Sequence, residues 1–212
     1  MRRLLLLPAI LLGACGGGSS TDPNLVTAAQ CTATGLEDLD EVFGDVSEFL
    51  ASIGGTLPAN VTYDDASGDF SITASFGTID GNVTSADDIS DGIDAGEAAS
   101  ATWSINPGGG ATITGSGVFN LARTAASVFG ITGNGSITDG TCIFNATDTD
   151  LVLDLLSGLG PVGSFDFNAT TTTGPIDGTM TFDGSATAVI IATFGGIPVA
   201  FTIDLDTFLP HF

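Results

Sequence analysis

Cysteine, histidine, lysine and paired carboxylates are the side chains that most often carry chemistry, and this chain holds few of the first three. Its 212 residues include three cysteines and one histidine, with 25 Asp or Glu against only three Arg or Lys. The histidine is His211, one residue from the end. A hydrolytic triad needs a base held rigidly beside its nucleophile, and chain ends fray. No Gly-x-Ser-x-Gly elbow occurs. The absence of lysine removes Schiff-base chemistry and the phosphate-gripping Walker pattern. Zinc sites need several His or Cys, which are missing. Acids are plentiful enough for a two-carboxylate hydrolase, yet the single Trp and single Tyr leave little on which to grip sugar. These residues point away from catalysis. The inorganic ligand best matched to them is Ca²⁺, because Asp87, Asp88, Asp91, Asp94 and Glu97 crowd one segment with Gly92 and Gly96, supplying hard oxygens on a pliant backbone. The spacing is not that of an EF-hand, since Ile89 and Ala98 stand at ligand positions, and a solvated acidic loop is the plainer account.

The first 14 residues have another character. Arg2 and Arg3 precede an uncharged run from Leu4 to Leu12, too short for a helical membrane span of about 20 residues and suited to a signal peptide. The run closes on Leu12-Gly13-Ala14-Cys15, which resembles the lipobox of bacterial lipoproteins. That resemblance implies cleavage after Ala14, diacylation of Cys15 and a lipid-held chain; Gly16, rather than Asp, implies onward sorting to an outer membrane. Gly16-Gly17-Gly18-Ser19-Ser20 reads as the start of a flexible tether extending to residue 30.

Cleavage would leave Arg123 as the single Arg or Lys against 25 acids, a formal charge of −24. Such a surface repels nucleic-acid phosphates and anionic headgroups, because binding to them draws on Lys and Arg. The only membrane contact expected is through the lipid. Internal ion pairs cannot balance the acids, so dissolved cations must screen them. Melting temperature is therefore expected to rise between very low and about 0.5 M salt. Beyond Cys15, an oxidising compartment would pair Cys31 with Cys142, closing a long loop worth about 4 kcal/mol on the chain-entropy estimate.

The elements that must position these residues follow from periodicity. Leu36, Leu39, Phe43, Val46, Leu50 and Ile53 recur at steps of three and four behind a Thr34/Glu37 capping pair, predicting an amphipathic helix near 34–53. From Val61 the period becomes two, as in Phe70, Ile72, Ala74 and Phe76, or Val199, Phe201, Ile203 and Leu205. These are strands with one wet face, separated by turn signals at Asn106–Gly110, Asp139-Gly140 and Gly195-Gly196. The charge-free stretch 184–203 is long enough for a membrane helix, but Gly195, Gly196 and Pro198 make it a buried hairpin. The terminal Phe212 resembles the last aromatic of outer-membrane barrels. Such barrels carry aromatic girdles, which one Tyr63 and one Trp103 cannot form, and Pro210 interrupts the final strand. Glycines on the inward face, including Gly115, Gly117 and Gly178, favour strong curvature or room for a bulky neighbour.

The chain is thus expected to be mainly β. One domain over 31–212 would form a curved antiparallel sheet, barrel or sandwich of about 8 to 10 strands, closed or nearly so, with the helix packed on it. The lipobox resemblance and the missing catalytic groups together imply a non-catalytic binding or structural module of the cell envelope. The alternative is a carrier holding a lipid or other apolar ligand in a Phe-lined cavity. The chain's expected partners are the membrane, through the lipid, and a protein or apolar ligand.

Overall fold

The computed structural model describes residues 22–85, 92–154, 157 and 160–212. Among these residues lie one helix, α1 (Pro23–Ser52), and then twelve strands: β1 (Val61–Asp64), β2 (Asp69–Ala74), β3 (Gly77–Thr84), β4 (Ala98–Pro107), β5 (Thr114–Arg123), β6 (Val128–Thr138), β7 (Ile143–Asp154), β8 (Val162–Thr171), β9 (Gly174–Asp183), β10 (Thr187–Phe194), β11 (Ile197–Asp204) and β12 (Leu209–His211). Each strand pairs antiparallel with the next, in chain order from β1 to β12. The sheet is a meander and does not close, since β1 and β12 are both edges. Twelve strands replace the 8 to 10 expected.

The strand count rose where the turn carried no turn chemistry. Phe70 to Phe76 alternates without a break, yet β2 ends at Ala74 and β3 starts at Gly77. The reversal uses Ser75-Phe76, and Phe76 is buried, so the hydrophobic period runs straight through it. The 184–203 stretch is the expected hairpin: β10 and β11 meet at Gly195-Gly196, with φ 57° and 82°, the conformation a two-residue hairpin turn requires and glycine supplies.

The helix starts at Pro23, eleven residues before the predicted Thr34. It therefore takes in residues 23–30, read from sequence as tether. Asp22 caps it, its carboxylate accepting from Asn24 N–H at 2.9 Å, and Pro23 occupies the first turn, where its missing N–H costs nothing. Ala28, Ala29, Cys31, Thr32, Ala33, Gly35 and Leu36 are all buried. At about 100° per residue they span an arc of roughly 200°. That is wider than one flat sheet can cover, so the sheet curls over this part of the helix. A sheet of more than about ten strands is expected to curl in this way. The irregular register between Gly133 and Gly135, with Asp148 opposite at φ 49°, adds a local bend between β6 and β7.

One row of cross-strand partners shows how the core fits. It runs Tyr63, Phe70, Gly81, Trp103, Gly117, Gly135, Ala146, Phe167, Gly178, Ala192, Val199. Along it glycines flank Trp103 on both sides, and Phe167 sits between Ala146 and Gly178. A Cβ on Gly117 would lie 2.8 Å from Trp103 Cζ2, and one on Gly135 would lie 2.9 Å from both Trp103 and Leu39 of α1. The inward glycines therefore seat the indole and admit the helix. Phenylalanines fill the remainder, with Phe43 on Phe119 at 5.0 Å, Phe49 on Phe70 at 4.7 Å and Phe165 on Phe182 at 5.7 Å between ring centroids.

The C-terminal edge is blunted. The Leu205 N–H to Ala186 O bond fixes the β10–β11 ladder so that Pro198, Ala200 and Thr202 turn their backbone groups away from β10. β12 covers Thr202 to Asp204 only. Proline at 198 removes one of the two donors left bare, which discourages strand addition. Among the described residues, no helix is long and apolar enough to cross a membrane.

Candidate functional site

The antiparallel meander has two ends. At the proximal end lie the start of α1 and the β2–β3, β4–β5, β6–β7, β8–β9 and β10–β11 connections; at the distal end lie the β1–β2, β3–β4, β5–β6, β7–β8, β9–β10 and β11–β12 connections. Thr173, in the β8–β9 turn, donates its hydroxyl to Asn24 O at 3.3 Å and marks where the chain enters the domain.

The proximal end is stapled. Cys31 and Cys142 form the expected disulfide, with Cα atoms 5.6 Å apart, tying an early turn of α1 to the β6–β7 connection. Four residues on, Gly35 lies directly against the Phe144 ring. Beside them Asp38, Asp139, Thr34 and Ile137 line a shallow indentation with no room for a water molecule. Burial, and then the neighbouring charges of Glu37, Asp139 and Glu41, push the Asp38 carboxyl up to about 7. Asp139 moves the other way. Burial raises it, but N–H groups of Thr141 and Cys142 at 2.8 Å each, together with the Thr141 hydroxyl, outweigh that and hold it below the usual carboxylate range. Glu41 accepts from the Ser75 hydroxyl at 2.7 Å. Sequence reasoning did not single out Asp38 or Asp139 as site residues. The Asp139-Gly140-Thr141 sequence signals an Asp-capped turn, but nothing local indicates that α1 would lean against it.

The distal end is acidic. Asp64, Asp65, Asp69, Asp94, Glu97, Asp154, Asp183, Asp204 and Asp206 stand in its connections or on their flanking strand residues, whereas the proximal acids so placed among the described residues are Asp139 and Asp22, the cap of α1. Several distal acids act as turn caps. Asp204 accepts from Asp206 N–H, Thr207 N–H and the Thr207 hydroxyl, and Asp183 accepts from Ser185 N–H. Both carboxyls are held low, Asp204 by the Thr207 hydroxyl first and Asp183 by the Ser185 side chain first. Arg123 donates to Ile93 O at 3.0 Å and Ala126 O at 2.8 Å, so its guanidinium fastens two distal connections to β5.

Of the calcium candidates, Asp87, Asp88 and Asp91 lie outside the described residues, as does Cys15. Asp94 and Glu97 face each other across one turn, where Glu97 Oε2 accepts from Asp94 N–H at 2.7 Å. No group of three or more His, Cys, Asp or Glu suited to a metal occurs among the described residues. Trp103 Nε1, Arg123 Nε and Thr149 Oγ1 are buried without a hydrogen-bond partner among the described residues, at separate points on β4, β5 and β7. They do not converge on a common site. No family model, curated protein or solved structure matches this chain.

Proposed function

We propose that the protein is a non-catalytic lipoprotein of a cell envelope, a structural or binding module held to its membrane by acyl chains on Cys15. The observation that carries this reading is the spacing at the start of the chain: a basic start, an apolar run, Leu12-Gly13-Ala14-Cys15, and a folded domain beginning at Pro23. Two or three acyl chains, at about 0.8 kcal/mol per buried methylene, anchor far more firmly than one. The Cys31–Cys142 disulfide supports an exported location, because such bonds persist in oxidising compartments. Gly16 favours the outer membrane as the destination. The inner face of the sheet, where a carrier would hold its ligand, is occupied by α1 and interlocking rings, which favours the structural module over the carrier.

Metabolic labelling with radioactive palmitate tests the reading. The intact chain should take up label and sediment with membranes, and Cys15→Ser should lose both properties. An unlabelled, soluble intact chain would overturn it. Native mass spectrometry of the delipidated domain tests the carrier alternative, which a clean apo mass after mild extraction would remove.

A further inference from the structure

We propose that the proximal end of the sheet rests on the bilayer that holds Cys15, with the tip of the β10–β11 hairpin, Phe194-Gly195-Gly196-Ile197, entering the headgroup region and the distal end turned away. This inference rests on the lipoprotein reading and adds an orientation to it.

Three observations lead to it. The first is reach. Seven residue steps separate Cys15 from Asp22, the cap of α1, and at no more than about 3.6 Å each they span roughly 25 Å. Because α1 enters at the β8–β9 turn, the lipid cannot lie far from the proximal connections. The distal connections are farther away by the length of the strands, about 33 Å for ten residues.

The second is charge. Membrane surfaces carry anionic headgroups that repel carboxylates. The distal connections carry nine described acids, whereas the proximal end carries Asp139, with its carboxylate occupied by Thr141 and Cys142, and Asp22, whose carboxylate caps α1. Of the nearby helix acids, Glu41 is restrained by Ser75 and Asp38 by partial burial, while Glu37 and Asp40 are exposed.

The third is exposed apolar surface in uncharged company. Ile191 and Ile197 are each 67% exposed, the highest values among the large hydrophobic residues described, and Ile143 is 45% exposed. All three lie on the proximal parts of their strands. Their cross-strand partners are Thr179 and Ala200 for Ile191, Phe194 for Ile197, and Thr138 and Thr170 for Ile143. Of the exposed distal apolar residues, Val162 pairs with Asp183 and Leu209 with Asp204, while Val152 and Val189 have uncharged partners but are less exposed than Ile191 and Ile197, at 45% each. A glycine-turned hairpin tip flanked by Phe and Ile can enter an interface without taking a charge with it.

The test uses the lipidated protein on phosphatidylcholine vesicles with brominated acyl chains, which quench nearby tryptophan. Ile197→Trp reports the proximal tip and Ala186→Trp the distal β9–β10 turn, while the parent's buried Trp103 supplies the background. Tip insertion of some 5–10 Å should cost Ile197→Trp about half its added emission and leave Ala186→Trp unchanged. Unchanged parental Trp103 emission in both variants verifies the fold. If the protein floats with the vesicles but neither reporter is quenched, or both are quenched alike, the orientation is wrong and the anchor stands. A protein that fails to float overturns the anchor itself.

Discussion

At the proximal end the chain is held by covalent and steric means: a disulfide, a glycine flush against Phe144, and a carboxyl pressed toward neutrality beside a second acid. The distal end has little of this. Its connections are held by aspartates that cap their own turns and by one arginine that grips two carbonyls. With Arg123 the only Arg or Lys beyond residue 3, carboxylates cannot be satisfied by ion pairs, so backbone N–H groups and neighbouring hydroxyls serve instead. This is why Ser or Thr follows closely on distal aspartates such as Asp183 and Asp204. The proximal end, which must anchor the helix, has one such cap at Asp139 and adds a covalent and a steric link that do not depend on charge.

Breaking the staple should produce the largest change. Replacing both Cys31 and Cys142 with Ala opens a loop of 111 residues and should cost about 4 kcal/mol on the chain-entropy estimate, read as a lower denaturant midpoint. A double variant as stable as the parent would mean that α1 is held by packing alone.

The next effect is steric and depends on position within one helix. Gly35→Val drives a branched side chain into the Phe144 ring and should lose about 3 kcal/mol by overpacking. Gly44, further along the same helix, is exposed, and a Cβ there would meet nothing within 4 Å. Gly44→Ala should therefore gain about 0.5–1 kcal/mol from helix propensity. Thermal melts of the two variants check the opposite signs, and a common sign would show that Gly35 is not in close contact with the sheet.

Asp38 supplies a pH signature. Its folded pKa, about 7, lies above the ordinary aspartate value of 3.8. The folded state thus holds a proton that the unfolded state releases across that window. The stabilisation is complete at low pH and is lost as pH rises through about 7. Asp38→Asn mimics the protonated form. The variant should melt with the parent near pH 4 and above it at pH 8, where the parent must carry a half-buried charge beside Glu37, Glu41 and Asp139. Parallel pH profiles would show that α1 does not press Asp38 against the β6–β7 turn.

Sequence periodicity captured the fold class well, because alternation and the helical repeat report directly on which face is buried. It failed where small residues do the burying. Ala28, Ala29 and Ala33 line α1 where the sheet comes closest, and alanines make a weak hydrophobic stripe, so the repeat becomes legible only at the larger Leu36. The Asp22-Pro23 start signal was present but had no strong apolar repeat behind it to give it weight. Likewise Ser75-Phe76 hid a strand reversal by preserving the period. The Cys31–Cys142 pairing could be read because only two cysteines remained beyond Cys15. The meeting of Asp38 with Asp139 was not readable, since it depends on the path of α1 across β6 and β7.

The smallest expected change tests the distal mechanism. Asp204→Ala removes the acceptor for Asp206 N–H, Thr207 N–H and the Thr207 hydroxyl, but leaves the β10–β11 ladder and the core untouched. Global melting should fall by less than about 4 °C, the scale of one lost cap in a domain of this size. The local effect should be clearer. β12 is only three residues long and hangs on this turn, so amide exchange at Thr207 and Leu209 should accelerate while that of Ile190 stays slow. If those two amides keep the parent's protection, the distal turns draw their order from the strands they join, and the contrast between the two ends rests on the proximal staple alone.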